Sequence, residues 1–261
     1  MVKVHHLQSK LKSLRLGGML DTLELRLDQA QKDRLGYLQF MELMLEDEIN
    51  RRSQRGLVSR VAKAHFDEVK TLEEFDFGFN PKIPAQKIRD LATCNFLEAG
   101  ESIIVCGPVG TGKSHIVQAI GHSACRLGYS VHYITTNRLL SDLGGGHADG
   151  TWDVRLRRYL HPDLVILDDF CMKELTQQQS EDIYELILER HRHSPMIIAS
   201  NRSPQDWYPL FPNPVLAEGT LDRLINRSHH LLLEGRSYRP LLRPDGKQSL
   251  AKEVDKEAET E

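Results

Sequence analysis

Apolar residues follow three different rhythms along the chain, and each predicts a different kind of structure. Over residues 1–70 they recur at one-turn spacing. Leu7, Leu11 and Leu14 open the pattern, Gly17-Gly18 interrupts it, and Leu20, Leu23 and Leu27 carry it to Ala30. Tyr37, Phe40, Met41, Met44 and Leu45 predict a third helix, and Leu57, Val61 and Ala64 a fourth. No strand-like alternation or β-branched run occurs here, so the stretch reads as a small all-helical domain.

A Phe-rich connector, 71–84, follows and closes with Pro81 and Pro84. From 85 to 244 the rhythm changes. Short apolar runs, Ser102–Cys106, Val131–Ile134, Leu164–Leu167, Met196–Ala199 and His230–Leu233, alternate with helix-length segments. Runs this short and this apolar predict strands of a parallel sheet covered on both faces, an α/β architecture. An added helix-rich segment, 137–160, lies between the second and third runs and is interrupted by Gly144-Gly145-Gly146. The last stretch, 245–261, is charged and nearly free of large apolar groups, which predicts a disordered tail.

Composition narrows this picture only slightly. A chain of 261 residues accommodates one α/β core plus a smaller unit. Its longest apolar runs are far too short to cross a bilayer, and Met1–Lys10 holds no apolar core of a signal peptide, so a cytoplasmic protein with no membrane partner is expected. Four cysteines stand far apart without a CxxC pair, which argues against a zinc site or a disulfide framework. The net charge of −3 gives no sign of nucleic acid, yet residues 1–70 carry thirteen Lys and Arg against ten Asp and Glu.

The chemistry begins directly after the first strand. Gly107-Pro108-Val109-Gly110-Thr111-Gly112-Lys113-Ser114 fits G-x-x-x-x-G-K-[ST] in full, and His115 continues into a predicted helix. Glycines let the backbone curl so that its amides face a phosphate, and the helix turns its positive end to the same anion. Lys113 supplies a charge to the β- and γ-phosphates, and the Ser114 hydroxyl is a magnesium ligand. By chance such a string arises in roughly one chain of this length in a hundred, and here it has strand before it and helix after it. ATP with Mg²⁺ is therefore the expected ligand.

The run Leu164–Leu167 ends in Asp168-Asp169. Carboxylates at the tip of a buried strand need a cation or water nearby, and after a P-loop that tip lies beside the magnesium. Asp168 is expected to hold the metal through its water shell, and Asp169 to orient and deprotonate the attacking water. Asn201, after the fourth run, has the amide needed to hold that water, although Asn is also a common turn residue. Arg223 in Leu221-Asp222-Arg223-Leu224 is either an ion-paired surface residue or a finger reaching a neighbouring subunit's γ-phosphate.

Together these stretches resemble the AAA+ ATPases, specifically the IstB/DnaC branch. Arg15-Leu16-Gly17-Gly18-Met19, the Met41-to-Arg52 helix with its Glu-Asp-Glu run, Leu72-Glu73-Glu74-Phe75-Asp76-Phe77 and Ser237-Tyr238-Arg239 look more like IstB-type insertion-sequence proteins than DnaC-type helicase loaders. The resemblance spans almost the whole chain except its tail. It implies a P-loop AAA+ core and an accessory ATPase of DNA transposition, which assembles as a homo-oligomer on double-stranded DNA largely without regard to sequence. It also implies a partner transposase of the same element, of the IstA type. By the same resemblance Asn201 takes the sensor role and Arg223 that of the intersubunit finger.

Two departures stand out. Little chain follows Arg223, so no helical lid with its sensor arginine is expected, and Asp169 replaces the more common Glu, which points to slow hydrolysis. The 137–160 segment looks like the inserted helix of initiator-type AAA+ proteins. Arg155, Arg157 and Arg158 on it, with Arg51, Arg52 and Arg55 in the helical domain, are candidate DNA-backbone contacts or simply solvated helix faces. The competing readings are a DnaC-like helicase loader, an ATP-gated scaffold without turnover, and a small-molecule kinase. The last is disfavoured, since no acceptor-site motif is evident and the helical domain would be left unused.

Overall fold

Leucine spacing at the start of the chain resolves into three helices, α1 (Val4–Ser13), α2 (Gly17–Lys32) and α3 (Tyr37–Lys63), in the computed structural model of the protein, which describes residues 4–242. The stretch expected to be a disordered tail lies outside the described residues. The chain divides into two units between Arg60 and Val61. In the first, Leu11, Met19, Leu23 and Met44 form a small buried cluster, with Leu16, Leu20, Leu27 and Phe40 packed on it. Glycine lets α2 start hard against α3, because a Cβ on Gly18 would come within 2.6 Å of the Glu48 Cα. The Glu48 carboxylate then accepts from the Gly18 amide at 2.6 Å, an anion on the positive end of α2. Burial pushes that carboxyl up in pKa, but the donated amides and Arg52 outweigh it and hold it below the usual range.

Two helices were expected across Tyr37–Ala64, and one continuous α3 is found. Gly56 sits inside it, and one glycine costs about 1 kcal/mol, too little to end a helix of 27 residues held by pairs such as Glu48–Arg52.

The second unit is a five-stranded parallel sheet in the order β2-β3-β4-β1-β5. Its strands are β1 (Ser102–Cys106), β2 (Val131–Thr135), β3 (Leu164–Asp168), β4 (Met196–Ser200) and β5 (Ser228–Leu232). The helices α4 (Ala85–Leu91), α5 (Asn95–Ala99), α6 (Lys113–Arg126), α7 (Thr136–Asp149), α8 (Trp152–Leu160), α9 (Gln177–His193) and α10 (Pro214–Ile225) flank it. Strand pleating divides the core. Ile104, Val165, Leu167 and Ile198 pack with buried residues of α7 to α10, whereas Ile166 faces α6, so closely that a Cβ on Gly121 would meet it at 2.7 Å.

Two local expectations shift. The Gly144-Gly145-Gly146 run does not interrupt a helix; α7 passes through it and ends at Gly150, whose φ of 73° makes the left-handed cap. The glycines serve packing instead, since a Cβ on Gly146 would lie 2.8 Å from the Trp152 Cα of α8. The last strand starts two residues earlier than its apolar run. As an edge strand, paired among the described residues with β1 alone, it tolerates His229 and His230 in its ladder. Beyond α10, β5 and a single 3-10 turn, Arg239–Leu242, complete the described residues.

Candidate nucleotide site

Between the end of β1 and the start of α6 the backbone takes a course that only glycine follows easily. Gly107, Gly110 and Gly112 have φ of 151°, 82° and 98°. At Gly112 a Cβ would lie 2.5 Å from the Phe75 ring, and at Gly110 it would collide with Ser237. Distant segments thus close tightly over the loop. The Thr111 hydroxyl braces it by donating to the Pro108 carbonyl at 2.9 Å. Lys113 is buried, and its Nζ donates to the carbonyls of Gly107 (2.8 Å) and Pro108 (2.7 Å). Burial lowers its pKa, while the charges of Asp168 and Asp169 work in the opposite sense.

A cavity of about 490 Å³ opens over this loop, within the size range of small-molecule sites. Val109, Gly110, Thr111, Gly112, Lys113, Ser114 and His115 line it, and so do Asp168, Asp169 and Asn201. The strand order explains the convergence: β3, β4 and β1 are consecutive neighbours, so their C-terminal ends share one edge of the sheet. Asp168 is 3% exposed; its Oδ1 accepts from the Asp169 amide at 2.8 Å and its Oδ2 from the Tyr133 hydroxyl at 2.9 Å. Asp169 sits in the left-handed region, φ 53°, with its carboxyl open to the cavity; partial burial, then the charge of Asp168, raises its pKa.

The Asn201 amide follows β4, with Nδ2 3.3 Å from the Met172 sulfur. Ser200, one residue earlier, ties the two strand ends together. Its hydroxyl donates to the Phe170 carbonyl at 2.7 Å and accepts from the Trp207 indole at 3.1 Å.

Hard oxygen donors suit magnesium, which binds through one or two carboxylates and keeps its remaining positions for water and phosphate. Ser114, exposed in the cavity, and Asp168 are such donors, and among the described residues no group of three His, Cys, Asp or Glu offers a closed metal site. The donor set fits the ion.

The remaining candidates are held by other contacts. Gly107 and Pro108 meet Lys113 through their carbonyls and are not in the cavity lining, while the His115 ring lies 2.8 Å from the Thr71 carbonyl and edge-on to Phe75. Arg223 lies outside the cavity, with its guanidinium 5.6 Å from the centre of the Tyr184 ring and donating to the Gly219 carbonyl. Arg155 is held by Asp142 (2.9 Å) and Asp149 (2.6 Å), and Arg158 by Asp142 at 3.4 Å, whereas Arg157 is exposed. In the first unit Arg51 binds the Gly17 carbonyl and Asp21, Arg52 pairs with Glu48 at 2.7 Å, and Arg55 is exposed.

Sequence reasoning missed some residues of this cavity, and one of them is an arginine. Arg239, from the final 3-10 turn, lines the cavity and its charge acts on Lys113 and Asp169. An arginine therefore enters the cavity from the segment that follows β5. Its only sequence signal is the Ser237-Tyr238-Arg239 motif, which has no chemistry legible by itself.

A P-loop, an acidic strand tip and a polar strand end around one cavity, on a parallel sheet of this order, define a P-loop protein of the AAA+ fold. The chain belongs to the IstB-like ATP binding protein family, which matches residues 9–244. It is 51% identical over 239 residues to an insertion-sequence ATP-binding protein of Mycobacterium tuberculosis, covering 91% of this chain and 95% of that one. It is 34% identical over 236 residues to the insertion sequence IS21 ATP-binding protein of Pseudomonas aeruginosa, covering 90% and 89%. Among solved structures the fold resembles the DnaC helicase loader, with a TM-score of 0.53 and 20% identity over 67% of this chain and 99% of that one. It also resembles the replication initiator DnaA bound to AMPPCP and single-stranded DNA, with a TM-score of 0.56 and 23% identity over 66% of this chain and about half, 52%, of that one. Among the described residues no helix is long and apolar enough to cross a membrane.

Proposed function

We propose that this chain is the ATP-hydrolysing accessory protein of an insertion sequence. It assembles as a homo-oligomer on double-stranded DNA and assists the transposase of the same element in capturing target DNA. The observation that carries this reading is the gathering of Lys113, Ser114, Asp168, Asp169 and Asn201 around one cavity while Arg223 stays outside it. A site that holds these groups but not the candidate finger Arg223 is suited to completion by a neighbour. The insertion-sequence relatives support the setting; the likeness to a helicase loader rests on fold alone.

In this mechanism the loop amides and the start of α6 bind the triphosphate, and Lys113 leaves its two carbonyls for the β- and γ-phosphates. Ser114 and Asp168 would hold magnesium, which when bound neutralises charge on those phosphates. Asp169 accepts a proton from the attacking water, and Asn201 fixes that water. Arg223 of the neighbouring copy neutralises charge as the γ-phosphoryl departs. Arg239 approaches the same phosphates from its own chain.

Mixing two inactive variants tests the shared site. Lys113→Ala is expected to lose nucleotide binding, and Arg223→Ala to bind ATP yet hydrolyse it about 10³-fold more slowly. Together they regain part of the activity, because one supplies an intact loop and the other an intact arginine. A mixture no more active than its parts overturns hydrolysis between subunits.

A further inference from the structure

The mechanism above leaves unused a buried hydroxyl that touches the site. Tyr133, on β2, is 3% exposed, and its phenolic oxygen stands between two carboxylates, 2.9 Å from Asp168 Oδ2 and 3.2 Å from Asp67 Oδ2. β2 pairs directly with β3, with Tyr133 opposite Ile166 and Thr135 opposite Asp168, so pleating puts the tyrosine and Asp168 on the same face of the sheet.

The Asp168 carboxylate is thus held at both oxygens, by the Asp169 amide and by the phenol, while the Thr136 hydroxyl donates to its backbone carbonyl at 3.0 Å. A phenol carries one proton and serves one acceptor at a time.

Asp67 belongs to the strap that follows α3. The Ala64 carbonyl accepts from the Tyr133 amide at 2.8 Å, Phe66 packs on the Tyr133 ring at 6.2 Å, and the Glu68 amide donates to Gln118 at 3.2 Å. Asp67 itself pairs with Arg138 of α7 at 3.3 Å. The strap therefore follows the edge strand and brings a second carboxylate to the hydroxyl that holds the first.

We propose that Tyr133 is a positioning residue for the Asp168 carboxylate, and that Asp67 competes for its single proton, so that the strap after α3 sets how firmly that carboxylate is presented to the metal. This rests on the P-loop reading above and adds to it a route by which movement of the strap changes the site. A donor that orients a metal-binding carboxylate characteristically supports affinity or activity by about 10–100-fold.

The test is Mn²⁺ binding to the full chain with a non-hydrolysable ATP analogue, followed by electron paramagnetic resonance. Tyr133→Phe keeps the ring on Phe66 and removes the hydroxyl; it should weaken Mn²⁺ binding by about 10–100-fold. Its affinity for the analogue without metal should stay at the wild-type value, which also shows that the fold survives. Asp67→Ala leaves the phenol entirely to Asp168 and should bind Mn²⁺ at least as tightly as wild type. Unchanged Mn²⁺ affinity in Tyr133→Phe overturns the positioning role. A loss in Asp67→Ala equal to that in Tyr133→Phe overturns the competition. If wild type binds neither analogue nor Mn²⁺, the P-loop reading falls and this inference with it, a result distinct from either.

Discussion

The floor and the cover of the cavity are built by opposite logics. The floor is Gly107–Ser114, eight consecutive residues whose glycine positions, flanking strand and following helix specify the conformation between them. The cover comes from two segments more than 150 residues apart in sequence, held together by pairs that no local pattern announces. Asn80 donates to the Arg236 carbonyl and accepts from the Arg236 amide, both at 2.9 Å, and the Tyr238 amide donates to the Gly110 carbonyl, also at 2.9 Å. A local motif fixes what kind of ligand enters; the distant pairs fix how closely it is enclosed.

The largest expected effect separates backbone demand from the fit of the cover. Gly112→Ala places a Cβ against Phe75 and forces an L residue to a φ of 98°, so nucleotide affinity should fall about 100-fold. Adding Phe75→Ala removes the collision and leaves the strained φ. Titration with a fluorescent ATP analogue should therefore show little recovery. Full recovery would mean that the cover, and not the loop, dictates the glycine.

The same division explains how much was legible in the sequence. All five strand runs were readable because buried parallel strands are short, apolar and separated by helix-length segments. Only β5 slipped, since an edge strand need not be apolar. The split of α3 into two helices failed because the two apolar stretches, Tyr37–Leu45 and Leu57–Ala64, are joined by charged residues that continue the helix without an apolar trace. The glycine run in α7 misled for a related reason: small residues there allow α8 to approach, a tertiary cause with no periodic trace. Arg239 and Tyr133 were invisible as site residues because each reaches the cavity through sheet order or chain return, not through spacing.

Loosening the cover should produce a smaller effect than breaking the floor. Asn80→Ala removes two hydrogen bonds of about 1 kcal/mol each, which for a unit of this size lowers the unfolding temperature by about 5 °C. Nucleotide affinity should drop less than about 10-fold, the range of one such bond or two. Calorimetry and nucleotide titration on the same preparation check both. A loss as great as that of Gly112→Ala would erase the distinction between floor and cover.

Acidity probes the strand tip between them. Asp169 has its pKa raised, first by burial and then by Asp168, so it protonates at a higher pH than an ordinary aspartate. A base must be deprotonated, and kcat should fall with an acid limb lying above the usual aspartate value as pH decreases. The sign for folding is the reverse: a raised carboxyl pKa means the folded state binds the proton more tightly, so this group's contribution to stability increases as pH falls through the folded pKa. Asp169→Asn should abolish the limb along with turnover while ATP still binds. A kcat profile flat across that window would remove Asp169 as the base.

The smallest effect tests the distinction inside a single run of sequence. Arg155 and Arg157 read alike in Arg155-Leu156-Arg157-Arg158, yet one is engaged by Asp142 and Asp149 while the other is exposed. If this helix follows a DNA backbone, Arg157 is available to neutralise a phosphate and Arg155 is not. Arg157→Ala should then weaken duplex binding uniformly across sequences and lower the slope of log affinity against log salt by about 1. Arg155→Ala should leave that slope unchanged and lower the unfolding temperature instead, because it removes the ion pairs with both Asp142 and Asp149. Salt titrations of both variants and wild type against the same duplex decide the matter: wild-type slopes in both variants would mean that neither arginine meets DNA, and a larger change in Arg155→Ala would mean that its ion pairs open when DNA binds.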